Sequence, residues 1–137
     1  MRLSDELEEL LEQGRSTVEK YISHEGTFPA FALAMKEGGE VTAVLASDEF
    51  TRLEDALGGI LKVLLPWATN KEVSATLICS PIPKDVAEPG WCAVVFDLES
   101  NQGNRLYGVL PYRKHDYLGW QYGTIEYSRG RPQIFVS

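Results

Sequence analysis

Two hydrophobic periods share this chain, and together they leave few folds open to it. In two stretches the apolar residues recur at helical spacing. Elsewhere, and throughout the part after Asn70, they alternate with period two. A chain that mixes both periods has to place helices against a sheet.

The first helical stretch carries Leu3, Leu7, Leu10, Leu11, Val18, Tyr21 and Ile22 on one stripe. Asp5, Glu6, Glu8, Glu9 and Glu12 crowd its opening turns, where the helix dipole favours negative charge. Asp5 and Glu8 have the spacing of a variant capping pair. Gly14 falls on the apolar stripe, which predicts close packing there, and His24-Glu25-Gly26 supplies the stop. A second helix opens at Ser47-Asp48-Glu49-Phe50-Thr51, with Thr51 and Glu54 at capping-box spacing. Its stripe is Phe50, Leu53, Leu57, Ile60, Leu61 and Leu64. Gly58-Gly59 weakens its middle, and Pro66 is expected to end it.

The strands follow from alternation. Residues 28–35 place Phe31, Leu33 and Met35 on one face and Phe28, Ala30, Ala32 and Ala34 on the other. The small face suits a closely packed helix. Glu37-Gly38-Gly39-Glu40 turns the chain into a returning strand over 41–46. Further strands are predicted over 73–80, 91–99, 105–111 and 120–127, with a short last one over 131–136. Residues 81–90 read as a proline loop, Asn101 to Asn104 as a turn, and Tyr112 to Gly119 as a polar connection. The expected fold is α+β, in the order α-β-β-α-β-β-β-β. It has an antiparallel sheet of five to six strands and both helices on one face. Residues 1–137 form a single domain.

The same C-terminal half carries a resemblance. The runs V-L-P-Y-R-K (109–114), G-W-Q-Y-G (119–123) and R-P-Q-I-F (131–135) resemble a loosely defined set of small bacterial α+β proteins without an assigned activity. F-P-A-F-A-L at 28–33 and A-V-V-F-D-L-E at 93–99 fit the same set. The resemblance implies the fold and a bacterial cytoplasmic origin. It transfers no site residue.

Composition narrows the function classes. The net charge is −7, but residues 1–104 carry −10 and residues 105–137 carry +3. The acidic body argues against a protein that binds nucleic acid over its whole surface. No apolar run is long enough to span a bilayer, and the N-terminus has no signal-peptide core, so a cytoplasmic address is expected. Cys79 and Cys92 sit in apolar runs and read as reduced core thiols.

Phosphate-loop, dinucleotide and nucleophile-elbow motifs are absent from the sequence. His24 and His115 have no second ligand at metal spacing, so neither a metal nor a cofactor is expected. Three polar groupings remain. Arg113, His115 and Asp116 hold the ingredients of acid–base chemistry, though strand neighbours point to opposite faces. Asp97 and Glu99 share a strand face and suit either a cation or a cross-strand pair of Glu99 with Arg105. Finally, Tyr107, Tyr112, Tyr117, Tyr122, Tyr127 and Trp120 interleave with Arg105, Arg113, Lys114, Arg129 and Arg131.

Tyr, Trp and Arg are the residues that anchor protein interfaces. The sequence therefore points to a non-enzymatic module that binds a basic protein partner, in an inhibitor or immunity-type role. Its contact surface is expected at Tyr112, Arg113, Lys114, His115, Tyr117, Trp120 and Tyr122. Exposed aromatics would serve homodimerisation equally. The rival reading is a small enzyme or anion-binding protein. It would have a helix–sheet pocket in which Arg113 holds the anion and His115 or Glu126 moves a proton.

Overall fold

A computed structural model describes residues 3–46, 52–82 and 90–136. The expected fold class and element order are present, with one further strand at the end. Helix α1 spans Asp5–Glu25 and α2 spans Leu53–Thr69. The strands are β1 Phe31–Lys36, β2 Val41–Leu45, β3 Val73–Ile82, β4 Cys92–Ser100, β5 Arg105–His115, β6 Gly119–Tyr122 and β7 Glu126–Arg129. All seven belong to one antiparallel sheet in the order β2-β1-β3-β4-β5-β6, with β7 paired to β5 beyond β6.

Helix α1 begins at Ser4, whose hydroxyl accepts the Leu7 N–H at 3.4 Å. That cap replaces the pairing expected from Asp5 and Glu8; both acids stand instead in the first turn, favoured by the dipole. Gly26 closes the helix as anticipated, donating its N–H to the Ile22 carbonyl at 2.8 Å. The opening of α2 around residues 47–51, including the Thr51 capping position, lies outside the described residues, as do 83–89 of the proline loop. Pro66 does not end α2. It stands exposed in the last turn, where water can reach the carbonyl that its missing N–H leaves free. Termination falls to Lys71, whose φ of 58° is left-handed. Its N–H reaches Ala68 O at 3.1 Å, and the Glu72 N–H reaches Trp67 O at 2.8 Å.

The helices lie on opposite faces of the sheet, a correction to the expectation of one shared face. Leu7, Leu10, Val18 and Ile22 of α1 pack on Phe31, Leu33, Met35, Leu77, Phe96 and Leu98. Ala56, Ile60 and Leu64 of α2 pack on Ala30, Ala32, Ala34 and Ile78. Alternation assigns these two residue sets to opposite sides of the same strands. The small-residue face of β1 does receive a closely packed helix, which is α2. As a result β1 and β3 are buried on both faces along most of their length.

Gly14 makes the α1 contact possible. A Cβ there would lie 2.3 Å from Leu77 Cδ2 and 3.2 Å from Cys79 Sγ. At this point the interface between α1 and the sheet is therefore filled.

The strand expected over 120–127 is divided. Pro111 in β5 has no N–H to give, and the facing chain bulges between β6 and β7 at that level. The Gly123 N–H still reaches Pro111 O at 2.8 Å, and Pro111 Cγ occupies the space where a Gly123 Cβ would stand. Residues 131–136 form no strand. Their backbone turns onto the α2 face of the sheet, and Ile134 is buried there with the α2 core.

Two glycines test the packing in opposite directions. Gly14→Val should lower the unfolding free energy by about 1–3 kcal/mol through overpacking. Gly58→Ala should raise it by roughly 0.5–1 kcal/mol, because its Cβ enters open space in a helix. Urea midpoints at constant slope measure both.

Candidate functional site

The hairpin formed by β5, its turn and β6 carries all seven predicted contact residues. Tyr112 to His115, expected in a connection, belong to β5, and only 116–118 turn. Strand alternation then separates the cluster. The register opposes Tyr112 to Tyr122 and Lys114 to Trp120, all on the α1 face. Arg113 and His115 occupy the other face, opposite Gln121 and Gly119.

On the α1 face the aromatics pack rather than protrude. Tyr112 is 2% exposed, its ring centroid 6.0 Å from that of Trp120 and 6.2 Å from that of Tyr122. Trp120 continues toward the end of α1, 3.6 Å from where a Gly26 Cβ would stand. Burial pushes the Tyr112 hydroxyl up to about 12, and it raises Tyr122 and Tyr127 in the same direction. Tyr112, Trp120 and Tyr122 build the sheet end and leave little of themselves for a partner, whereas Tyr127 is 39% exposed.

The other face and the turn are open. The Arg113 guanidinium stacks over Trp91 at 4.4 Å, and its Nε donates to Gln121 Oε1 at 3.2 Å. His115 Nδ1 accepts the N–H groups of Tyr117 and Leu118 at 3.2 and 3.3 Å. The imidazole thereby holds the turn, and no hydrogen bond links it to Asp116. Tyr117 is 91% exposed and Leu118 70%. Gly90, Arg113, Lys114, His115 and Tyr117 border an open depression of about 460 Å³. Leu118 was not anticipated as a site residue. Its one signal was an apolar side chain placed inside a polar turn.

Arg113 and His115 therefore stand on an outer strand surface, not between a helix and the sheet. Glu126 pairs with Val109, well along β5 from both. A larger depression of about 600 Å³ lies beside Lys36, Trp67 and Lys71, at the opposite end of the sheet.

Arg105, Asp97 and Glu99 are structurally engaged. Arg105 binds Asp97 with both carboxylate oxygens, Nε to Oδ1 at 3.0 Å and Nη2 to Oδ2 at 2.9 Å. That bidentate bond raises the Arg105 pKa. Glu99 does face Arg105 across the hairpin, but at 3.8 Å it is the weaker partner. Instead Glu99, 1% exposed, accepts backbone N–H groups from Gln133, Ile134 and Phe135, at 2.7 Å and 2.6 Å for the last two. Arg105 Nη1 also donates to Arg131 O at 2.7 Å.

Both cysteines are free. Cys79 is buried, and desolvation raises its thiol pKa, so it stays protonated; Cys92 is half-buried. Among the described residues no three His, Cys, Asp or Glu side chains gather into a metal site.

Two measurements check this placement. Trp120→Ala should cost about 2 kcal/mol of stability because it uncovers Tyr112 and the end of α1, whereas Arg113→Ala should cost less than about 1 kcal/mol. The second measurement is alkaline titration. An unfolded tyrosine ionises near 10.0 and folded Tyr112 near 12, so the native state keeps this proton longer. Stability from this group is complete below pH 10 and declines as pH climbs toward 12. Tyr112→Phe should flatten that decline in urea midpoints taken across the range.

Compared with known proteins, the chain matches no family model, no curated protein and no solved structure.

Proposed function

We propose that this protein is a protein-recognition module whose anchor is the tip of the β5–β6 hairpin. The observation that carries the reading is the exposure of Tyr117 beside Leu118. Both are large apolar side chains at the end of a hairpin held rigid by His115 and by the Arg113–Trp91 stack. Neither side chain helps to build the core. An aromatic anchor on a rigid support loses little conformational freedom when a partner covers it.

The partner in this reading carries a basic surface. Asp5, Glu8, Glu9 and Glu12 are exposed along α1, in a chain whose net charge is −7. Such a stripe accelerates encounter with a cationic protein and contributes less once contact is made. An inhibitor-type role follows if the hairpin covers the working surface of that partner. The setting is intracellular in this proposal, in keeping with the absence of a helix long and apolar enough to cross a membrane among the described residues.

Immobilised protein exposed to source-cell lysate tests the proposal. The wild type should retain one basic protein. Tyr117→Ala should lose it without any change in melting temperature, and Glu9→Lys with Glu12→Lys should slow its association at low salt. Retention that survives both substitutions would remove the hairpin and the acidic stripe from the function.

A further inference from the structure

The two edges of the sheet are built differently. At the β6–β7 edge the strands are short, a bulge interrupts them, and Glu126 and Arg129 place charge at the rim. These are the usual protections against strand addition. The β2 edge, five residues long, has neither the bulge nor the charge. Its sequence, Val41-Thr42-Ala43-Val44-Leu45, contains no charge and no proline, and among the described residues β1 is its single partner in the sheet.

The open hydrogen-bonding groups can be named. Lys36 N–H bonds Glu40 O at 2.7 Å, which fixes the alternation along the hairpin. Thr42 and Val44 therefore turn their backbone groups toward β1. Val41, Ala43 and Leu45 turn theirs to the open edge, and among the described residues no backbone hydrogen bond reaches them. Their side chains lie on the α1 face, which α1 does not cover at this end. Ala43 is exposed and Leu45 is 67% exposed.

Helix α2 borders the same edge on the other face. From Leu57 to Thr69 it carries a single charge, Lys62, and Val63 and Leu65 are each 37% exposed. A helix apolar on all sides normally lies in an interior. Here one side is against the sheet and the other is open.

We infer that the β2 edge is the interface with a second copy of this chain, joined β2 to β2 in antiparallel register about Ala43. The strand is its own complement. In that register Ala43 faces Ala43 and Val41 faces Leu45 on one side, Thr42 faces Val44 on the other, and no charge meets charge. Each outward N–H and C=O of Val41, Ala43 and Leu45 gains a partner. A two-fold axis at Ala43 joins the two sheets into one, sets both α2 helices side by side on one face and leaves no open β2 edge. Charge permits this occupant. In a chain of net charge −7 the strand itself is uncharged, so a second copy brings no like charges together at the axis. The surface lies at the far end of the sheet from the β5–β6 hairpin, and the inference is independent of the role proposed for that hairpin.

Light scattering coupled to gel filtration tests it on the full chain at tens of micromolar. The wild type is expected at twice the 15.3 kDa of one chain. Ala43→Lys, an exposed position whose N–H is not used within the fold, should run as a monomer with unchanged circular dichroism and melting temperature. Two lysines would then meet across the axis. A monomeric wild type, or a dimer that survives Ala43→Lys, overturns the inference. The register has its own check. Cα atoms opposed in a hydrogen-bonded pair lie about 5.5 Å apart, within disulfide range. Ala43→Cys should therefore form an interchain disulfide under mild oxidant while the wild type does not. A dimer that forms none overturns the register.

Discussion

The buried carboxylate of Glu99 is the interaction on which the second face of the sheet depends. An ionised carboxylate withdrawn from water costs several kcal/mol unless it is fully hydrogen-bonded. Here its oxygens receive N–H groups from Gln133, Ile134 and Phe135, residues 34 to 36 positions away. The arrangement is an anion nest supplied from within the chain. Arg105 reinforces it by binding Asp97 on one side and the Arg131 carbonyl on the other. With the segment fixed, Ile134 is buried and Phe135 packs beside it, extending the cover that α2 gives to its own end of the sheet. Two helices cannot cover both faces of seven strands; one helix on each face plus this segment comes closer.

That economy also distributes the exposed surfaces. α1 reaches β1, β3 and β4, and α2 lies over β1, β2 and β3. The hairpin end of β5 and β6 is left to its own aromatics on one face and to the Arg113–Trp91 stack on the other. The β2 end is left with an uncharged rim. The sheet thus has one charged, interrupted edge and one plain edge, and each has a distinct chemistry for contact.

Much of this fold was legible in the sequence. The helical stripes, the tight turns, Gly14 as a close-packing position and the small face of β1 all follow from local pattern, because period and turn chemistry are local properties. Placement of the helices was not legible, since periodicity says which residues share a face and not which layer covers it. Nor was the Glu99 clasp, because a carboxylate that binds backbone N–H groups leaves no mark in the distant residues that supply them. For the candidate site, parity held more information than composition. Tyr112 stands an even number of residues from Leu106 and Leu110, both buried, so its burial was readable. Tyr117 falls in the turn, where parity ends, and its exposure required the hairpin to be placed first. Pro66 misled because a proline in an exposed last turn disturbs little.

The Glu99 clasp also bears on how the fold opens. Its bonds join residues 34 to 36 positions apart, so they are lost together when residues 133–135 lift from the sheet. What that opening uncovers is an apolar surface around Ile134 with a carboxylate set into it. A charge pointing into such a surface disfavours its capture by a foreign strand. One side chain is therefore a latch in the closed state and a guard in the opened one.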